Sequence, residues 1–159
     1  MAPRYADYDQ FVLAEAQAIY RYLARKMDIL GKTEHEMALV EQFCFSWEEL
    51  HERYWPLVDG WKNLLTPEQF DKTLQKVLHE QIKPIVMKHE EALAKNGTGF
   101  YVGDKMTVAD IHATISIPLL NHGENLFTKE SFPNLFALHD KLMANEIIYK
   151  EFHRYTLNK

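Results

Sequence analysis

Between Gly99 and Ile111 the chain reads Gly-Phe-Tyr-Val-Gly-Asp-Lys-Met-Thr-Val-Ala-Asp-Ile, and this stretch limits the possible folds more than any other. Two glycines bracket an apolar, aromatic turn, and a helix follows with a full set of start signals. Thr107 is placed as the N-cap, and Asp110, three residues on, can reach back to the cap's own N–H. Met106 before the cap and Ile111 after it have the spacing of a hydrophobic staple. A carboxylate in the first turn also suits the positive end of the helix dipole. The helix continues through Ile111, Thr114, Ile115 and Leu119. That is too apolar for a surface element, so the pattern predicts a buried central helix.

Similar start signals recur upstream. Thr33 with Glu36 forms a second capping-box pattern, followed by Met37, Val40, Phe43, Trp47, Leu50 and Tyr54 at three-and-four spacing. Pro56 and Gly60 predict a bend or break late in that helix. Thr66-Pro67-Glu68-Gln69 places a cap, a proline at the first helical position and a reciprocal partner. The next apolar stripe is Phe70, Leu74, Val77, Leu78, Ile82, Ile85 and Val86; Pro84 should kink this helix without ending it, since the period resumes at Leu93. After the central helix come a polar loop near Gly123 and two short helices, roughly 133–144 and 146–154. Before all of these, residues 15–27 alternate at helical spacing, with Ile19, Tyr22 and Leu23 opposite Arg21 and Arg25, and Gly31 marks the end. Residues 1–13, with Pro3, Tyr5, Tyr8 and the run Phe11-Val12-Leu13, read as strand, turn and strand, marginal as an isolated hairpin. The predicted fold is mainly α: a β-β-α segment over 1–30, then an all-helical domain over 31–159.

At 159 residues and 47% hydrophobic content the chain can bury a core of its own. The net charge is −5, and no run of Lys or Arg exceeds Arg25-Lys26, which argues against a basic nucleic-acid surface. No apolar run reaches membrane-spanning length, and the start lacks a signal pattern. One cysteine permits no internal disulfide, which suits the cytoplasm. Without a secretion signal, the sequon Asn96-Gly97-Thr98 is read as unused. Each of His35, His51, His79 and His89 precedes a glutamate, but the residues four on are Leu39, Trp55, Lys83 and Leu93. No zinc-binding pair is completed; no metal is expected, and the histidines are assigned to solvated helix faces. Cys44, between Phe43 and Phe45, reads as a packed core thiol. Glu90-Glu91 reads as surface charge, and Glu48-Glu49 equally as surface charge or as part of a site. Phe43, Trp47, Tyr54, Trp55 and Trp61 have core spacing, with an apolar ligand pocket as the rival reading.

The stretch around Thr107, together with Phe11-Val12-Leu13-Ala14-Glu15-Ala16-Gln17-Ala18-Ile19-Tyr20-Arg21-Tyr22-Leu23-Ala24-Arg25-Lys26, resembles the glutathione transferase family. The likeness is nearest to sigma-like members, the class of the prostaglandin synthases and S-crystallins, and it covers essentially the whole chain. It implies the family's C-terminal helical bundle preceded by a β-β-α remnant of the thioredoxin-like domain. Met1-Ala2-Pro3 falls at the family's cis-proline turn. By this resemblance the first half of the thioredoxin-like domain, with its catalytic Tyr, Ser or Cys, is not in the sequence.

The resemblance also implies a remnant site for glutathione as substrate or ligand, and no catalytic residue. Ala2 and Pro3 offer the edge that pairs with the tripeptide backbone. Glu15 and Ala16 stand where the family has an acid or Gln followed by Ser, so the hydroxyl is missing at Ala16; the loss is on the order of 1 kcal/mol. Glu48 or Glu49 falls near the acid that reaches the partner subunit's glutathione amine across the family's homodimer. Tyr5 and Tyr8 are the phenols nearest the remnant, and neither matches the catalytic tyrosine. Three functions follow as expectations. The first is a transferase conjugating glutathione to small electrophiles, weak or inactive as this short chain. The others are a non-catalytic protein-interaction module and a holder of apolar ligands.

Overall fold

The computed structural model describes residues 4–6, 11–57, 64–118, 120 and 126–156, with the side chains of 4–6 and 155–156 left aside. Ala2, Pro3, Tyr8, Gly60, Trp61, Leu119 and Gly123 lie outside the described residues. Strand β1 (Arg4–Ala6) pairs antiparallel with β2 (Val12–Ala14), Tyr5 opposite Leu13. Helix α1 (Ala16–Lys26) follows, then α2 (Glu34–Trp55) and α3 (Pro67–Val77). The bundle continues with α4 (Lys83–Asn96), α5 (Val108–Ser116), α6 (Pro133–Met143) and α7 (Glu146–Thr156). The β-β-α start and helical remainder agree with the sequence pattern.

The three predicted helix starts carry their boxes. Thr33 accepts from Glu36 N and Thr66 from Gln69 N, and each partner side chain returns to the cap's N–H. At Thr107 the arrangement is tighter and buried. Asp110 takes the Thr107 N–H at 2.7 Å and its O–H at 2.8 Å on one oxygen, and the Tyr101 N–H at 2.9 Å on the other. Asp110 is 0% exposed, so this one carboxylate closes the loop onto the helix that follows. Val108 N donates to Ile29 O at 2.9 Å, which hangs the end of α1 on the same helix start. Asn96 supports the loop from its other side: its side-chain nitrogen lies 2.8, 2.8 and 2.9 Å from Thr98 Oγ1, Phe100 O and Gly103 O. The amide of the sequon is thus an internal donor. Gly97 ends α4 at φ 69°, a left-handed cap that suits glycine.

Helix α5 packs mainly against α2 and α6. Its buried face is Val108, Ala109, Asp110, Ala113, Thr114 and Ser116, whereas Ile115, expected inside, is half exposed. Small residues on that face let α2 and α6 approach closely, and Ile115 falls on the other side of the helix. From α2 come Val40, Cys44, Trp47, Leu50 and Tyr54; Trp55 points outward. The stripe of α3 and α4 continues past Pro84, as its period predicts. A π-helical turn (Leu78–Ile82) absorbs Pro84, because widening the turn removes the need for an N–H that proline lacks. Leu78 and Ile82 are both fully buried.

Two polar residues depart from the sequence reading. His89, assigned to a solvated face, is 1% exposed. It stacks on Trp47 with centroids 4.4 Å apart, meets Tyr101 edge-on, and pairs through Nε2 with Ser46 Oγ at 3.0 Å. Only His35 and His79 of the four His-Glu histidines are exposed. Glu90 is no plain surface charge: its oxygens accept from Asn134 N and Leu135 N, both at 2.9 Å, capping α6 from α4. The dipole of α6 favours that carboxylate.

Thr107→Ala should cost about 0.5–2 kcal/mol through the cap. Asp110→Ala should cost more, about 2–5 kcal/mol, because two buried N–H groups lose their acceptor; equal chemical midpoints for the two variants would refute this ordering. Burial lowers the His89 pKa to about 3. The unfolded chain therefore takes up this proton first, and stability is present at neutral pH and lost as pH falls below the ordinary histidine value. From this residue alone about 2 kcal/mol should be lost by pH 5, measured as a drop in urea midpoint that His89→Gln reduces.

Candidate functional site

The sequence-predicted site residues separate into two places. The first is the junction of β2 and α1. Glu15 has φ 71° and ψ 119°, a conformation that costs a residue with a side chain on the order of 1 kcal/mol. Its side chain makes no cap hydrogen bond, and the first turn of α1 holds no acidic residue. The Glu15 carbonyl accepts from Ile19 N at 3.0 Å, so helical bonding begins at once. The first N–H groups of α1 therefore face outward at the positive end of the dipole, with no side-chain partner among the described residues. Glu15, Ala16 and Gln17 are all exposed. Such a terminus receives a carboxylate readily. The α1 start differs in this from those of α2, α3 and α5, each closed by its own box.

The second place is the contact of α1 with α2 and α5. Tyr20 donates its hydroxyl to Glu48 Oε1 at 2.6 Å. The other oxygen, Glu48 Oε2, is buried without a hydrogen-bond partner. Burial, and then the bond to Glu48, raise the Tyr20 pKa well above the ordinary phenol range. Glu49 is exposed on the same helix and pairs with Arg53 one turn on. The two glutamates thus have different roles: Glu48 joins helices and Glu49 dresses a surface. No described hydrogen bond or ion pair joins either to Glu15 or Ala16. Of the groups around Glu48, the sequence pattern assigns His51 to a solvated face, whereas its Nε2 is buried, and it gives Tyr20, Arg21 and His112 no part in a site. Tyr20 and Glu48 lie 28 positions apart, and no periodic signal links them.

Tyr5 contributes backbone to β1, while Ala2, Pro3 and Tyr8 fall outside the described residues. Cys44 is buried, and burial followed by the charge of Glu48 pushes its thiol up to about 12, as a core thiol should behave. Phe43 and Trp47 pack with His89 and Tyr101, so this part of the aromatic stripe is core and not pocket. Among the described residues no three His, Cys, Asp or Glu side chains come together as metal ligands. No helix among them is long and apolar enough to cross a membrane.

Comparison with known proteins agrees with this fold. Residues 58–150 match the family described as "Glutathione S-transferase, C-terminal domain", and the chain belongs to that family. Glutathione S-transferase 1 of Ascaris suum is 36% identical over 115 residues, 70% of this chain and 53% of that protein. S-crystallin SL11 of Nototodarus sloanii is 31% identical over 136 residues, 82% of this chain and 62% of that protein. The sigma class enzyme of Fasciola hepatica shares the fold at a TM-score of 0.74, covering 96% of this chain and 71% of that one at 21% identity. The chain spans 53–64% of the length of the Ascaris suum and Nototodarus sloanii proteins and of the related Schistosoma japonicum glutathione S-transferase.

Proposed function

We propose that the chain supplies part of a glutathione-binding site whose chemistry is conjugation of glutathione to small electrophiles, with little or no turnover from this chain alone. The observation that carries the reading is the strained, uncapped start of α1 at Glu15. Backbone strain held at a helix N-terminus with no capping side chain has a purpose if an anion is to be received there, and the γ-glutamyl carboxylate of glutathione is such an anion. In this reading Glu15 and Ala16 hold that carboxylate, and Ala2 and Pro3 pair with the tripeptide backbone. Glu48 or Glu49 meets the glutathione amine of a partner subunit. Turnover is low because the thiol and the phenol nearest the α1–α2 contact are committed elsewhere. Cys44 is buried and un-ionised at neutral pH, and the Tyr20 hydroxyl is tied to Glu48.

The proposed organisation has residues 1–30 as the thioredoxin-like part and 31–159 as the helical domain, working as a cytoplasmic homodimer. Support for association comes from the two-stranded sheet, whose outer edges are unpaired among the described residues, and from Phe11 and Val12, exposed beside it. Exposed strand edges recruit further strands. The same features favour a second reading, a non-catalytic interaction module that uses this edge for another protein.

Calorimetric titration should show glutathione binding with a dissociation constant of about 1 mM or weaker. Ala16→Ser should tighten it about fivefold, the worth of one restored hydrogen bond of about 1 kcal/mol. Identical affinity for the two proteins would remove α1 from the site. Conjugation of a generic aromatic halide should stay near background; turnover like that of an ordinary transferase, abolished by Tyr5→Phe or Tyr8→Phe, would assign that tyrosine the catalytic role. For association, light scattering at tens of micromolar should give a dimer mass, and a monomer mass would contradict it.

A further inference from the structure

At the junction of α1, α2 and α5 polar groups are gathered, of which the proposed site calls on Glu48 alone, as one of its two candidate partners for the glutathione amine. Glu48 Oε2, His51 Nε2, His112 Nδ1 and Arg21 Nη2 are all buried, and none has a hydrogen-bond partner among the described residues. Unpaired buried groups are rare in folded proteins, and a cluster of them calls for an account. The rings of His51 and His112 meet edge-on at 6.0 Å, and Tyr20 lies 5.4 Å from His112. The one strong bond in the cluster is that of the Tyr20 hydroxyl to Glu48 Oε1, and it joins α1 to α2.

We propose that Tyr20, Glu48, His51 and His112 form a proton-operated latch that ties α1 to the helical bundle at neutral pH and loosens it on acidification. With both imidazoles neutral, the Glu48 carboxylate holds the Tyr20 O–H. When His51 accepts a proton from solvent, its ring gains a second N–H and a positive charge, and both need an acceptor. Glu48 lies three residues earlier on the same helix face, and its charge favours the protonated ring. The carboxylate then exchanges a neutral O–H partner for a charged N–H one, the stronger of the two. Tyr20 keeps its proton and loses its acceptor.

The surrounding charges set where this happens. Burial, and then the neighbouring His112, lower the His51 pKa, and Glu48 opposes them. Burial lowers His112 as well; its hydrogen bond to the Cys44 backbone opposes this, and the Arg21 charge adds to it. From α1 the cluster faces Tyr20 and Arg21, the latter with its guanidinium 4.1 Å from the centre of the Phe45 ring and paired to Glu41. From α2 it faces Glu41, Cys44 and Glu48, and from α5 Asp110 and His112. Helix α4 contributes His89, and the π-helical turn presents buried Leu78 and Ile82 while His79 and Glu80 stay exposed. Glu48 is the acceptor in this set with an oxygen both buried and free. Since α1 also carries the Glu15 start, the latch would couple proton uptake to anion affinity there, a consequence that rests on the function proposed above.

The test is a proton-NMR titration of the imidazoles and of the Tyr20 ring between pH 8 and 5. The latch requires His51 to titrate below the ordinary histidine value with the Tyr20 resonances moving at the same midpoint. Tyr20→Phe frees the carboxylate and should raise the His51 midpoint by about half a pH unit, a threefold gain in proton affinity, and Glu48→Gln should lower it. Tyr20 signals that stay constant through the His51 titration overturn the proposal in the wild-type protein, whatever the variants do. A His51 midpoint unchanged in both variants overturns it equally. Glutathione titrations at pH 7.5 and 5.5 separate the two readings. Weaker binding at the lower pH supports the coupling, and absence of binding at both, with the NMR midpoints coincident, leaves the latch standing and removes the glutathione site.

Discussion

The buried carboxylate of Asp110 is the interaction on which the rest of this structure depends. Three donors from two segments converge on it, the Tyr101 N–H and the N–H and O–H of Thr107. Removing a carboxylate from water is costly, and only a full set of donors makes it acceptable. Burial raises the Asp110 pKa, and the same donors hold it down. Once satisfied, the group fixes where α5 begins and how the preceding turn folds back. Tyr101 is thereby held in the core, with its hydroxyl 3.2 Å from Trp47 Nε1 and its ring against Phe43 and His89. The aromatic centre of α2 and the polar start of α5 are therefore one connected unit.

The candidate site depends on this unit at one remove. The end of α1 is hung on the α5 start by the Val108 N–H to Ile29 bond, and the middle of α1 is held to α2 through Tyr20 and Glu48. Glu15 can keep its left-handed backbone because both attachments leave the helix little freedom to relax. The anion-receiving terminus lies on an element that owes its placement to contacts distant from the ligand. Helix α1 has a single fully buried residue, Ala24, so those two polar ties matter more here than in α2, whose packing alone would position it.

Most of the fold was legible because its signals are local. Capping boxes are written in four residues, and Thr33, Thr66 and Thr107 each start a helix as their spacing requires. The apolar stripes of α2 and α3 likewise follow from period alone. What could not be read concerns which side of an element is covered and what reaches it from afar. His89 looks like a surface histidine until Ser46, Trp47 and Tyr101 surround it. Glu90 is one of two adjacent acids until the start of α6 arrives 44 positions later. Ile115 looked buried because its helix is apolar throughout, and composition does not choose a face. For the site, Glu15 and Ala16 came from a family likeness; the backbone strain at Glu15 has no sequence signal, since a glutamate is ordinarily a poor choice for positive φ.

The measurement closest to the central claim is native-state hydrogen exchange at Tyr101 and Thr107. If Asp110 holds the core and the α5 start together, the amides of these two loop residues should exchange only through global unfolding. Their opening free energies would then equal those of the slowest amides in α2. Exchange at loop-like rates, with α2 still protected, would contradict the account and show that α5 and its turn open independently of the rest.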